Sequence, residues 1–144
     1  MNKLILAGVS ALVALGPAQS MAASKWMDGP PGLPAGAKFR VVSGDPGKEG
    51  MFAVRIQFPA NYSIPPHSHP TDELVTVKSG GPLAYGMGET MDKANAGSLE
   101  KGYHVNLMAK MNHWAATTAP TEVEVKAMGP FAITYANPAD DPRK

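Results

Sequence analysis

The stretch that decides the fold is Pro65-Pro66-His67-Ser68-His69-Pro70-Thr71-Asp72-Glu73. It contains three strong metal ligands, His67, His69 and Glu73, close together in the chain. Residues two apart on a β-strand have their side chains on the same face, so the two imidazoles can reach one ion together. Pro70 bends the chain after them, and we expect Glu73 to enter from the next strand. Imidazole and carboxylate ligands suit Mn, Fe, Ni, Cu or Zn. The alternative is that the histidine pair belongs to a surface loop.

The sequence around this stretch is typical of short strands separated by turns. Residues 51–58 alternate between apolar and more polar side chains, which predicts a half-buried strand. The 15 glycines and 14 prolines are scattered between such segments rather than massed in a linker. The pattern predicts an all-β sandwich or barrel in one domain. The other predicted strands are 38–43, 73–78, 83–88, 103–108, 113–117, 122–128 and 131–135, with a connection at 59–66 and one helical turn within 89–96.

The first residues have the layout of a secretory signal peptide. Lys3 is followed by the apolar run Leu4–Leu15, then by Gly16-Pro17 and the small residues of Ser20-Met21-Ala22. The run is too short for a stable transmembrane helix, although an uncleaved anchor is the alternative. We therefore expect a periplasmic or secreted protein without membrane attachment after cleavage. The predicted segments are a signal peptide at 1–22, an extended proline-rich arm at 23–37, a β-barrel at 38–136 and a solvated tail at 137–144.

Charge and cysteine content narrow the classes of partner and ligand. The formal net charge of the 144-residue chain is +1, and no run of basic residues is present. This argues against nucleic acid or an anionic membrane as a partner. The chain contains no cysteine, so a metal site must use histidine and carboxylate ligands.

Two segments resemble the signature motifs of the cupin superfamily. In the first motif, His67, His69, Glu73 and Gly80 are in register, and Asn61 replaces the usual glycine. Asn is the best substitute for glycine where a turn needs a positive φ. The second motif spans Gly102 to His113. There, Met108 stands at the usual proline position and Lys110 at the second glycine position, and Thr117 replaces a frequent asparagine.

The resemblance implies a small double-stranded β-helix, or jelly-roll barrel, of the cupin type. It implies one divalent transition metal ion held by His67, His69, Glu73 and His113, with an open side facing a cavity for a small-molecule ligand or substrate. Many cupins dimerise through barrel strands, which implies a homodimer. The motif register selects His113 over His104, which we expect to be a surface or partly buried histidine.

We weigh three functions against these features. The first is a metal-dependent dioxygenase or oxidase acting on a small organic substrate, with Glu73 as both a ligand and a catalytic proton acceptor. The second is a non-enzymatic periplasmic module that binds or senses a metal or small ligand. The third, a sugar isomerase or epimerase, is disfavoured, because cupins of that type generally lack the complete metal-ligand set.

Overall fold

The computed structural model describes residues 24–144, which form two antiparallel β-sheets. The predicted signal peptide, residues 1–22, lies outside the described residues. The strands are β1 (Met27–Asp28), β2 (Lys38–Ser43), β3 (Gly50–Phe58), β4 (Ser63–Ser68), β5 (Glu73–Gly80), β6 (Leu83–Met87), β7 (Gly97–Leu99), β8 (His104–Leu107), β9 (His113–Thr117), β10 (Thr121–Gly129) and β11 (Thr134–Tyr135). Short 3-10 turns cover Lys93–Asn95 and Pro138–Asp140.

The two sheets enclose one hydrophobic core. One sheet has the strand order β1-β2-β3-β10-β5-β8, and the other has the order β11-β4-β9-β6-β7. Buried side chains from both sheets form a single cluster, with Val54 and Val125 from the first sheet and Ile64 and Leu83 from the second. This arrangement confirms the predicted all-β jelly roll. Within residues 24–144, no helix is long and apolar enough to cross a membrane.

The pairing of residues between strands shows which inward-facing side chains lie at the same height along the barrel axis, which we call their level. Glu73 of β5 pairs with Ala127 of β10, and Ala127 pairs on its other side with Phe52 of β3. Burial alternates from residue to residue along the first part of β5. On β3, the core contains Phe52, Val54 and Phe58, as the sequence pattern predicts. Glu73 therefore lies at one end of the barrel, with rows of hydrocarbon side chains beyond it.

Two predicted boundaries are wrong. Pro65 and Pro66 belong to β4 rather than to a connection. They are tolerated there because the register between β4 and β9 shifts between Ile64 and His67, where regular ladder hydrogen bonds are interrupted. The last strand contains only Thr134–Tyr135, because residues 131–133 line the cavity between the sheets instead of pairing.

The proline-rich arm packs over the core and is fixed by hydrogen bonds from two buried tyrosines. The Tyr62 hydroxyl donates to the carbonyl of Pro34, and the Tyr135 hydroxyl donates to the carbonyl of Gly32 at 2.7 Å. The C-terminal tail is mostly exposed, but the Arg143 guanidinium donates to the carbonyl of Ile133 at 3.0 Å. Both terminal segments thus reach the end of the barrel that carries Glu73.

Candidate metal centre

Three histidines from two neighbouring strands meet at this end of the barrel. His67 lies near the end of β4, His69 follows that strand directly, and His113 begins β9. The pairing of β4 with β9 places His67 opposite His113. All three side chains are buried, and a ring nitrogen of each lies within 4.8 Å of the others. The structure therefore brings together the three histidines that the sequence selected.

Backbone carbonyls orient all three imidazoles. The Nδ1 atoms of His67 and His69 lie 2.7 Å from the carbonyl oxygens of Pro65 and Ala132, and Nδ1 of His113 lies 3.1 Å from that of Met111. A carbonyl oxygen only accepts hydrogen bonds, so each Nδ1 must be the protonated, donating nitrogen. In the neutral ring, this leaves the lone pair on Nε2, which is the arrangement that metal-binding histidines use.

Glu73, the first residue of β5, lies against two of the three histidines. Its Oε2 atom lies 3.3 Å from Nε2 of His69 and 3.4 Å from Nε2 of His113. Burial alone would raise the pKa of Glu73, but the contacts with His113 and His69 outweigh burial and hold this pKa well below its ordinary value. Glu73 is therefore a carboxylate at neutral pH.

The histidines differ in their protonation equilibria. Burial, together with the nearby charges of His113 and His69, lowers the pKa of His67 to about 3, so this ring is neutral at neutral pH. Burial also disfavours the charged form of His69, but the hydrogen bond and the charge of Glu73 raise its pKa above the ordinary value. A protonated His69 would form a buried ion pair with Glu73, whose Oε2 atom lies 3.3 Å from Nε2 of His69.

The cluster fits a metal ion. Within residues 24–144, the buried Nε2 atom of His113 has no hydrogen-bond partner, although it lies 3.4 Å from Oε2 of Glu73. A buried nitrogen lone pair without a partner is costly in an apolar interior, and a metal ion would satisfy it. The three imidazoles could hold a metal ion, and Glu73 lies beside two of them.

Two contacts of His69 have no signal in the sequence. The Phe131 ring stacks on the imidazole of His69 at a centroid distance of 4.3 Å, and the carbonyl of Ala132 accepts its Nδ1–H. Ala132 is 63 positions away from His69 along the chain, so local patterns cannot reveal the contact. The other nearby candidates lie outside the cluster: His104 is exposed on β8, and Asp72 accepts a hydrogen bond from the backbone N–H of Ala109.

Comparison with known proteins identifies the fold. No protein-family model and no curated protein sequence matches this chain. Among solved structures, it is similar to an RmlC-like cupin from Shewanella frigidimarina, with a TM-score of 0.57 and 14% identity over 72% of this chain and 82% of that chain. The chain has the cupin fold.

Two further solved structures are similar in fold. The polyketide cyclase RemF from Streptomyces resistomycificus has a TM-score of 0.61 and 17% identity, over 74% of this chain and 75% of that chain. The DMSP lyase DddQ from Ruegeria pomeroyi has a TM-score of 0.60 and 20% identity, over 77% of this chain and 60% of that chain. At these identities, the similarity establishes the fold.

The two residues that replace glycine in the motifs have backbone conformations that glycine favours. Asn61 has a φ of 57° and Lys110 has a φ of 63°, both in the left-handed region. The N–H of Lys110 donates to the carbonyl of His69 at 2.8 Å. The predicted positive φ of Asn61 is confirmed. Lys110 takes the same left-handed conformation in the turn beside the histidines.

A cavity of about 670 Å³ adjoins the three histidines. The arm, the cavity-lining residues 131–133 and the turn at Asp45-Pro46-Gly47 form part of its wall. Asp45 and Arg143 line the cavity but remain substantially exposed, so they mark its opening. The volume is within the range of small-molecule sites.

Proposed function

We propose that this cupin is an exported metal-dependent enzyme of the dioxygenase or oxidase type that acts on a small organic molecule. The observation that carries the proposal is the set of three buried imidazoles, all oriented by backbone carbonyls, beside a cavity of ligand size. RemF is a polyketide cyclase and DddQ is a DMSP lyase, and these names support a small organic substrate for this fold.

The roles of the chain's own residues follow from the geometry. His67, His69 and His113 would hold the ion through Nε2, with Glu73 as the fourth ligand. A bound Mn, Fe, Ni or Cu ion would supply redox chemistry and a binding position for dioxygen, whereas Zn would act only as a Lewis acid. The lowered pKa of Glu73 makes it a weak proton acceptor, so the site favours ligation over general-base catalysis for this residue.

The second candidate is a binding module without turnover. Apart from the histidine–glutamate cluster, the charged residues among the described cavity-lining residues are Asp45 and Arg143. Arg143 is already paired with Asp141 through its Nε atom at 2.7 Å. The cavity thus offers no further acid–base pair close to the cluster, which favours tight binding of a metal or small ligand without a reaction.

Metal content is the first test. Protein purified from the periplasm should contain about one equivalent of a transition metal, and the His67→Ala/His69→Ala double variant should contain almost none. His104→Ala is the matched control, because His104 is an exposed barrel histidine outside the cluster. Equal metal content in wild type and double variant would refute the site.

Turnover separates the two candidates. Metal-loaded wild type should consume dioxygen with at least one member of a panel of enolizable acids, diketones and phenols, and the double variant should not. Tight metal binding without uptake on any of these compounds would support the binding module. The mass of the secreted or periplasmic protein tests export, since cleavage after Ala22 removes residues 1–22, and light scattering tests the expected homodimer.

A further inference from the structure

Among the described residues, side chains that can carry a charge line the cavity in only two places. The histidine–glutamate cluster is one, and the exposed pair Asp45 and Arg143 at the opening is the other. The hydroxyl of Tyr85 lies over Gly97, and the indole nitrogen of Trp114 lies over Gly86. Both polar atoms therefore lie over a glycine of a neighbouring strand. The remaining lining side chains of the described residues are hydrocarbon.

Strand register shows how far this hydrocarbon region extends beyond the cluster. Glu73 lies at the level of Phe52, whereas Val77 lies at the level of Val123 and Ile56. Ile56 and Val123 both line the cavity. Four residues of strand separate the two levels, which corresponds to about 13 Å. The cavity therefore continues inward from the cluster as a deep apolar chamber.

The chamber selects against ligands with polar bodies. A hydroxyl group placed at the level of Ile56 would lose its water and meet the hydrocarbon side chains of Ile56 and Val123. Leaving a buried hydroxyl unpaired costs more than the apolar contacts around it contribute. The binding of a hydrocarbon or aromatic body, in contrast, is stabilised in proportion to the apolar surface area that it buries.

We infer that the ligand of this cupin is an amphipathic organic acid or phenol, with an oxygen-chelating head at the cluster and an apolar, ring-bearing body in the chamber. Polyhydroxylated ligands such as sugar acids are excluded by the same chamber. The inference rests on the proposed function in placing a metal ion at the histidines. The class of body, however, follows from the chamber alone.

The test uses three compounds that share one ortho-hydroxycarboxylate head. Salicylate has a single apolar ring, 1-hydroxy-2-naphthoate adds a second apolar ring, and 2,4-dihydroxybenzoate adds a hydroxyl to the body. Binding to the Zn²⁺-loaded full-length protein is measured by titration calorimetry, with metal content determined on the same sample. Zn²⁺ is redox-inert, so turnover does not disturb the titration.

The naphthoate should bind about 10-fold more tightly than salicylate, because the added ring is buried. The dihydroxybenzoate should bind about 10-fold more weakly than salicylate, because its extra hydroxyl is left unpaired. Equal or tighter binding of the dihydroxybenzoate relative to the naphthoate would overturn the inference. If the protein binds no Zn²⁺ but the three compounds keep this order of affinity, the proposed metal site is wrong and the inference about the apolar chamber is retained.

Two phenylalanine substitutions on β3 locate the body of the ligand. Ile56→Phe fills the chamber and should weaken naphthoate binding about 10-fold while changing salicylate binding little. Met51→Phe is the matched control, because Met51 is 62% exposed on the same strand. If Ile56→Phe leaves naphthoate affinity unchanged with an unaltered circular dichroism spectrum, the body does not enter the chamber.

Discussion

Replacement of Gly86 by alanine tests the close packing beside the histidines. Gly86 on β6 lies in register with Trp114 on β9, and a Cβ atom at Gly86 would lie 2.6 Å from atoms of the indole ring. Trp114 is only 1% exposed, so the ring cannot move into solvent. Overpacking of this kind costs about 1–3 kcal/mol. For a domain of this size, at about 4 °C per kcal/mol, that corresponds to a loss of roughly 4–12 °C in Tm.

The same substitution should weaken the candidate metal site. His113 directly precedes Trp114 and pairs with Met87, the neighbour of Gly86, so displacement of the indole moves the start of β9. Urea unfolding and metal titration of Gly86→Ala should show both effects. Gly47→Ala is the control, because a Cβ there meets only Asp45 at 3.4 Å. Equal stability of the two variants would refute the packing argument.

Three further predictions concern stability. Zn²⁺ in 100-fold excess over its Kd should stabilise the wild type by about 2.7 kcal/mol, EDTA should reverse this in differential scanning calorimetry, and the double histidine variant should not respond. Although burial opposes it, hydrogen bonds from Gln57 and Arg55 lower the pKa of Glu122, and those from Arg55 lower that of Glu124. The stability from these paired carboxylates is present above their ordinary pKa of 4.5 and is lost as the pH falls. In a series of urea unfolding curves, the midpoint of Arg55→Met should therefore fall less steeply at acidic pH than the midpoint of the wild type. Tyr135→Phe should cost about 1–2 kcal/mol by leaving an arm carbonyl unpaired, and the exposed Tyr103→Phe should be neutral in the same unfolding assay.

Sequence patterns predicted the parts of this molecule that depend on local periodicity. The alternation in residues 51–58 gave the correct inward face of β3, and the spacing of His67 and His69 placed both rings on one side. The motif register chose His113 rather than His104, and the structure places His113 in the cluster and His104 on the surface. The roles of Glu73 as a metal ligand and catalytic residue stay predictions.

Features that depend on distant parts of the chain could not be predicted. Pro65 and Pro66 read as a connection because proline lacks the N–H that a regular ladder needs, and only the register shift with β9 shows why a strand accepts them. The pairing of β11 with β4 brings the segment that contains Phe131 and Ala132 beside His69. The apolar chamber likewise emerges from the register of several strands.

The separation of the candidate ligands along the chain has a consequence for unfolding kinetics. His69 is tied to Ala132 across 63 positions, and His113 reaches the cluster only when β4 and β9 are paired. A metal ion bound there would act as a crosslink between strands that separate on unfolding. Where these strands part before the unfolding transition state, the ion must be released first, so unfolding slows while refolding keeps its rate. The fraction of protein with a metal ion bound would then be measurable from the lifetime of the native state.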